Sequence, residues 1–166
     1  MSDAPAGAID GGRVVSATAA VTEAEAFVEA FGEYWGAGGP ADAFVERFTP
    51  LLRPDVRLVQ PQIPTVVGHE AFRTRFAEPL FALLPDARGE VLGWAARDDR
   101  VYIELEIRGH VGHRPVALRT CDRITLVDGQ VAERIAHLDA APLLKAVAAS
   151  PRSWPTFIRS QLKGRR

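Results

Sequence analysis

One carboxylate stands where carboxylates are seldom tolerated. In ALRTCDRITLV, Ala117 to Val127, period-two alternation predicts a β-strand with Asp122 near its middle. An aspartate inside a strand competes for backbone hydrogen bonds and is costly to desolvate. Asp122 must therefore face water, pair with a neighbour, or act in a pocket, where its chemistry would be proton transfer on a carbonyl compound. A second alternating run, QVAERIAHL, follows across Asp128-Gly129, a dipeptide suited to a hairpin turn. A plain two-residue turn sets Asp122 opposite Ile135. A type I turn over Val127-Asp128-Gly129 with a glycine bulge sets Asp122 opposite Arg134 and Arg123 opposite Glu133. Two opposite-charge pairs, each worth about 0.2–1 kcal/mol in a sheet, favour the bulged register. Leu118, Thr120, Asp122, Ile124 and Leu126 then share a pocket face with Arg134, Ala136 and Leu138, while Cys121, Val131 and Ile135 fall on the outer face.

Two readings of Asp122 stay open at this point. Asp122 and Arg134 are a structural ion pair, which lowers a carboxylate's pKa and weakens it as a base. Alternatively Arg134 anchors an anionic ligand and leaves Asp122 free to act. Other reactive side chains say less. His110 and His113 have a spacing that metal sites use, but no carboxylate or cysteine accompanies them at ligand spacing, so no metal is expected. Cys121, the only cysteine, has no evident activating base. Tyr34 and Trp35 lie on an apolar helical stripe, where core packing is the commoner role and a ligand platform the alternative.

These residues need elements to position them. TEAEAFVEAFGEYWGAGG reads as a helix, with Thr22 and Glu25 at capping-box spacing and Phe27, Ala30, Phe31, Tyr34 and Trp35 as its apolar face. ADAFVERFTPLL gives a second helix and PDVRLVQPQIP a short strand carrying Gln60, its one strong polar side chain. A third helix from Gly68 buries Phe72, Phe76, Leu80 and Leu83, with Pro79 expected to bend it. After residue 86 the period switches to two. GEVLGWAA and RVYIELEIRG form one hairpin, with Val101, Ile103, Leu105 and Ile107 on one face, and the Asp122 hairpin follows. Asp139 can cap a helix over AAPLLKAV, and Ser153 starts a last one. Helices first and antiparallel strands after predict an α+β domain with helices on one face of a curved sheet. Residues 1–20 are expected as a flexible leader, 21–150 as the domain and 151–166 as a helical tail over the pocket mouth or a dimer seam.

Composition narrows the partners. With 166 residues, one domain with one core is expected. A net charge of −1 supplies no field for nucleic acid or anionic membrane, so neither is expected. A single cysteine suits a reducing cytoplasm, and no segment reads as a signal peptide or membrane span.

The order of landmarks resembles the nuclear transport factor 2-like superfamily, in particular its SnoaL-like polyketide cyclase branch. The residues that carry the resemblance are LLRPDVRLVQPQIPTVVGHEAF, LLPDARGEV and IRGHVGHRPVALRTCDRITLVDGQVAERIAHLD, over roughly residues 22–145. The resemblance implies a cone-shaped fold, a strongly bent mixed or antiparallel sheet wrapped around N-terminal helices with an apolar pocket at the open end. Three family chemistries can be compared at named positions. Limonene-epoxide hydrolases use residues at positions that are Leu58, Gln60, Ile103, Leu105 and Ala136 here, and only an amide survives. Ketosteroid isomerases place a general base where this chain has Gln60, and an amide cannot take a proton at neutral pH. The SnoaL-like cyclases use an aspartate at the position of Asp122 as general acid/base, without metal or organic cofactor. A histidine of the Gly-His loop assists them, and His110 is its nearest match in a loop one residue shorter. The expectation is thus Asp122 and His110 as catalytic residues, with Gln60, Arg134, Thr120, Tyr34 and Trp35 holding a hydrophobic carbonyl compound. A non-catalytic binding protein using the same pocket is the alternative. A homodimer through the outer sheet face is expected as well.

Overall fold

A computed structural model describes residues 17–61 and 63–163. Helix α1 (Ala17–Ala37) is followed by α2 (Ala41–Phe48) and by strand β1 (Leu52–Val59). A two-residue strand β2 (Val66–Val67) leads into a helix in three parts: α3 (Gly68–Ala71), a π-helical turn (Phe72–Ala77) and α4 (Glu78–Leu83). Four strands follow, β3 (Arg88–Arg97), β4 (Arg100–Val111), β5 (Arg114–Val127) and β6 (Gln130–Leu138). Helices α5 (Ala141–Ala148) and α6 (Trp154–Lys163) end the described chain. The strands form one curved, unclosed sheet in the order β2-β1-β6-β5-β4-β3. Among the described strands only β1 and β6 run parallel, which makes the sheet mixed. This is the expected α+β architecture, with the period switch after residue 86 marking the passage from helices to the long hairpins.

The helices cover one face of the sheet, and aromatic residues fill the space between. Phe27, Phe31 and Trp35 from α1 meet Phe44 and Phe48 from α2 and Phe72 and Phe76 from the π turn, all at least nine-tenths buried. Trp35 meets the Phe44 ring edge-on at 5.0 Å between centroids, and Phe44 lies 4.3 Å from Phe48. Each such side chain contributes about 1.5–3 kcal/mol by leaving water, and the ring pairs add to it. Val101, Ile103, Leu105 and Ile107 of β4 close the core from the sheet side, as their alternation foretells. Gly89 on β3 is required here, because a Cβ would stand 2.8 Å from the Cβ of Trp35.

Some details depart from the sequence reading. Helix α1 starts at Ala17, so Thr22 lies inside it and is not its N-cap. The residues before Ala17, most of the expected leader, lie outside the described ones. Pro79 perturbs its helix upstream of itself. Proline has no N–H to give the carbonyl of Arg75, and the preceding turn widens so that the Glu78 N–H bonds the Arg73 carbonyl, five residues back.

The β5–β6 register is neither of the two considered. Val127 pairs with Gln130 across a tight Asp128-Gly129 turn, with Asp128 at φ 51° and Gly129 at φ 76°. The extra residue sits further along, between the Leu126–Val131 and Thr125–Glu133 pairs, where Ala132 is unmatched. Asp122 therefore faces Ala136, and Arg134 faces Ile124. The shift is two positions from the expected register, so parity is kept and Arg134, Ala136 and Leu138 do share a face with Asp122. Both expected charge pairs form across diagonals instead, which long side chains can span. Arg134 reaches Asp122 at 2.7 Å and Arg123 reaches Glu133 at 3.8 Å. Val131 lies before the bulge and changes side: it is buried in the core at 3% exposure and not part of the outer face.

Candidate functional site

The site is built around a buried ion pair. Asp122 is wholly inaccessible, and its carboxylate is held from two sides. Arg134 donates from Nε to Oδ2 at 2.7 Å, and the Thr120 hydroxyl donates to Oδ1 at 2.7 Å. Thr120 can do so because residues two apart on a strand share a face. The Arg134 guanidinium carbon lies 5.6 Å from the centre of the Phe76 ring, at cation–π range. Leu58 of β1 and Ile124 of β5 are its strand neighbours. A charge buried this deeply survives only because it is paired and hydrogen-bonded.

Beside the pair lies a cavity of about 130 Å³ with a largely apolar wall. Leu80, Leu83, Ile107, Leu118 and Leu138 supply much of it, and Leu143, Leu144 and Phe157 close it from α5 and α6. Among the described residues, Gln60, Arg75, Thr120 and Arg134 bring polar ends to the wall. Gln60 follows the last residue of β1, Arg75 comes from the π turn, and the other two come from the sheet. Asp122 does not reach the wall; Thr120 and Arg134, which bind it, do. A smaller void of about 20 Å³ lies within the aromatic core, and Trp35, Phe76 and Arg134 border both spaces.

Of the expected ligand residues, Gln60, Thr120, Arg134 and Trp35 thus come together on one cavity. Tyr34 does not line it: its ring packs edge-on against Phe48, 5.7 Å away. His110 lies elsewhere, near the end of β4, with its Nδ1 2.7 Å from Oδ2 of Asp86 and its backbone N–H donating to Oδ1 at 2.8 Å. These two bonds, the ring first, hold the Asp86 carboxyl below its ordinary range. Both residues are about half exposed and border an open cleft with His113 and Ser153. Among the described residues no group of three or more His, Cys, Asp or Glu could hold a metal ion.

Arg75, Leu143 and Leu144 went unread in the sequence, whereas Phe157 lies in the tail expected over the pocket mouth or a dimer seam. Arg75 had a usable signal: it stands three residues after Phe72 and four before Pro79, within the stripe of the buried helix face. Leu143 and Leu144 had none beyond apolar character, since closing the cavity is a tertiary event. Asp139 does act near the start of α5, its Oδ1 accepting the Ala141 N–H at 3.0 Å. No helix among the described residues is long and apolar enough to cross a membrane.

Comparison with known proteins bears on the fold and the family. No curated protein matches the sequence significantly. Among solved structures, a candidate SnoaL-like polyketide cyclase from Jannaschia sp. CCS1 superposes with a TM-score of 0.67 at 23% identity, over 78% of this chain and 94% of that one. AclR, a candidate hydroxylase from Streptomyces galilaeus, gives 0.63 at 19% identity, over 78% and 98%. A protein of ketosteroid isomerase-like fold from Catenulispora acidiphila, solved with trimethylamine, gives 0.62 at 18%, over 74% and 92%. Likeness at these identities speaks for the fold, and the differing activities named within it show that the fold alone does not select one. The family model described as SnoaL-like domain matches residues 24–134, two-thirds of the sequence, and the chain belongs to that family, within the nuclear transport factor 2-like superfamily.

Proposed function

We propose that this protein binds an apolar small molecule bearing a carbonyl-type oxygen, with Gln60, Thr120 and Arg134 holding that oxygen. The observation that carries this reading is the convergence of these three side chains on a single mostly apolar cavity. Arg134 is fixed by Asp122, so its guanidinium meets the ligand in a set orientation, as a polarising group should. Membership of a family whose relatives include candidate cyclases supports a ligand of hydrophobic, polyketide-like character.

Cofactor-free acid/base chemistry on that ligand is the second reading. It is favoured by Asp122, a carboxylate one hydrogen bond behind two wall residues. Arg134 and Gln60 would stabilise an enolate oxygen, and Asp122 would carry the proton once Arg134 gives way. Binding is the better supported of the two, because no described side chain on the wall is a carboxylate, histidine, lysine, cysteine or tyrosine. His110, held by Asp86 at its own cleft, is left out of both readings.

Filling the cavity tests the proposal. Ala136 lies on the wall opposite Asp122 on the neighbouring strand. The wild-type protein should take up the neutral fluorophore N-phenyl-1-naphthylamine saturably, and Ala136→Phe should weaken that uptake by about tenfold or more while cooperative thermal unfolding is kept. Uptake that is absent, or that survives the substitution, rejects the reading. The protein is further proposed to work in the cytoplasm as a homodimer through the outer sheet face, where Tyr102 and Cys121 are exposed and Ile135 is half-buried. A monomer mass in sedimentation equilibrium at tens of micromolar would count against that pairing.

A further inference from the structure

We propose that the ligand of this cavity is an anion, an apolar acid carrying one ionised carboxylate, enolate or phenolate, and that Arg75 is the residue that selects it. This inference rests on the reading of the cavity as a ligand site and adds its charge. Among the described residues, the only charged side chains on the wall are Arg75 and Arg134, both cations. Asp122 neutralises Arg134 through Nε. Arg75 has no such partner: no ion pair among the described residues includes it. The wall therefore carries one guanidinium charge that the described residues leave unmatched.

That arrangement is unfavourable for an empty or neutral-filled cavity. A half-buried cation beside an apolar space loses hydration without gaining a counter-charge. A ligand anion supplies that charge, and the planar guanidinium fork suits a carboxylate's two oxygens. Gln60 and Thr120 then add neutral polar contacts at the same wall, while the leucines around them take the hydrocarbon body. A cationic ligand meets two guanidinium groups and is disfavoured. A dianion would keep one charge unpaired. The backbone reason for the site is local: Pro79 imposes the π turn, and Arg75 and Phe76 of that turn, with Pro79 and Leu80 after it, are wall residues.

Benzoate, 1-naphthoate and 9-anthroate, each beside its neutral carboxamide, form a size series of probes. Their displacement of N-phenyl-1-naphthylamine from the wild-type protein and from Arg75→Gln and Arg75→Lys at pH 7 reads the charge preference directly. At least one acid should bind about tenfold or more tightly than its amide in the wild type. Arg75→Gln should erase that difference, and Arg75→Lys should retain part of it. Acids and amides that displace the dye equally overturn the anion inference alone. An acid preference that persists in Arg75→Gln overturns the assignment to Arg75. A dye that never binds rejects the cavity as a ligand site, and the inference with it.

Discussion

Asp122→Ala should lower the unfolding free energy by about 3–5 kcal/mol, because it strands the Arg134 guanidinium in the sheet interior without its counter-charge. Arg134→Ala should cost about as much, leaving the Asp122 carboxylate with only the Thr120 hydroxyl. At roughly 2–4 °C per kcal/mol for a chain of this size, either variant melts about 6–20 °C below the parent. The double variant Asp122→Leu, Arg134→Met should recover most of that loss, since well-packed apolar residues replace a buried pair at little or no cost. Urea denaturation of the parent, Asp122→Leu, Arg134→Met and their double variant closes a double-mutant cycle, and the coupling energy is the quantity to read. A coupling near zero would mean that the two charges do not depend on each other. The same set separates pair from pocket, because the double variant should be folded yet have lost the oxygen-holding end of the cavity.

The inward identity of this pair was legible in the sequence; its geometry was not. Alternation fixed parity along β5, and the pairing of opposite charges was the right criterion. The error lay in assuming that opposite charges must sit directly across the ladder. Arginine spans the diagonal, so charge pairing alone leaves two registers of equal parity, and the bulge at Ala132 selects the other one. That choice also moves Val131 into the core, which no alternation count through Gln130 and Ala132 would have given. The helices were legible where their apolar stripes were long, as in Phe27, Phe31 and Trp35. The cavity was legible from its sheet side, through Thr120, Arg134 and Ala136. From its helical side only the tail over the mouth was legible, because Arg75 and Leu143 meet the sheet residues only after separate segments have packed. His110 was placed from family likeness through a loop of different length. Here its ring is engaged by Asp86 at the surface, and the cavity wall does not include it.

Trp35→Ala should cost about 3–5 kcal/mol in urea unfolding, the range for removing a large aromatic side chain from a packed core. Trp35 is 2% exposed and meets four phenylalanine rings, with centroids 5.0 Å from Phe44, 6.0 Å from Phe48, 6.4 Å from Phe31 and 6.5 Å from Phe76. It also borders both the larger cavity and the smaller core void, so its loss joins two spaces that the fold keeps apart. The backbone cannot collapse easily into the gap, because β3 already approaches α1 closely enough at Gly89 that a Cβ there would clash with Trp35. Trp35→Phe should recover more than half of the loss, since a smaller ring still separates the two spaces. If Trp35 served chiefly as a ligand platform, Trp35→Ala would weaken dye uptake while leaving unfolding nearly unchanged. The packing seen here argues for the opposite order: a large loss of stability first, and a change in uptake that follows from the enlarged cavity.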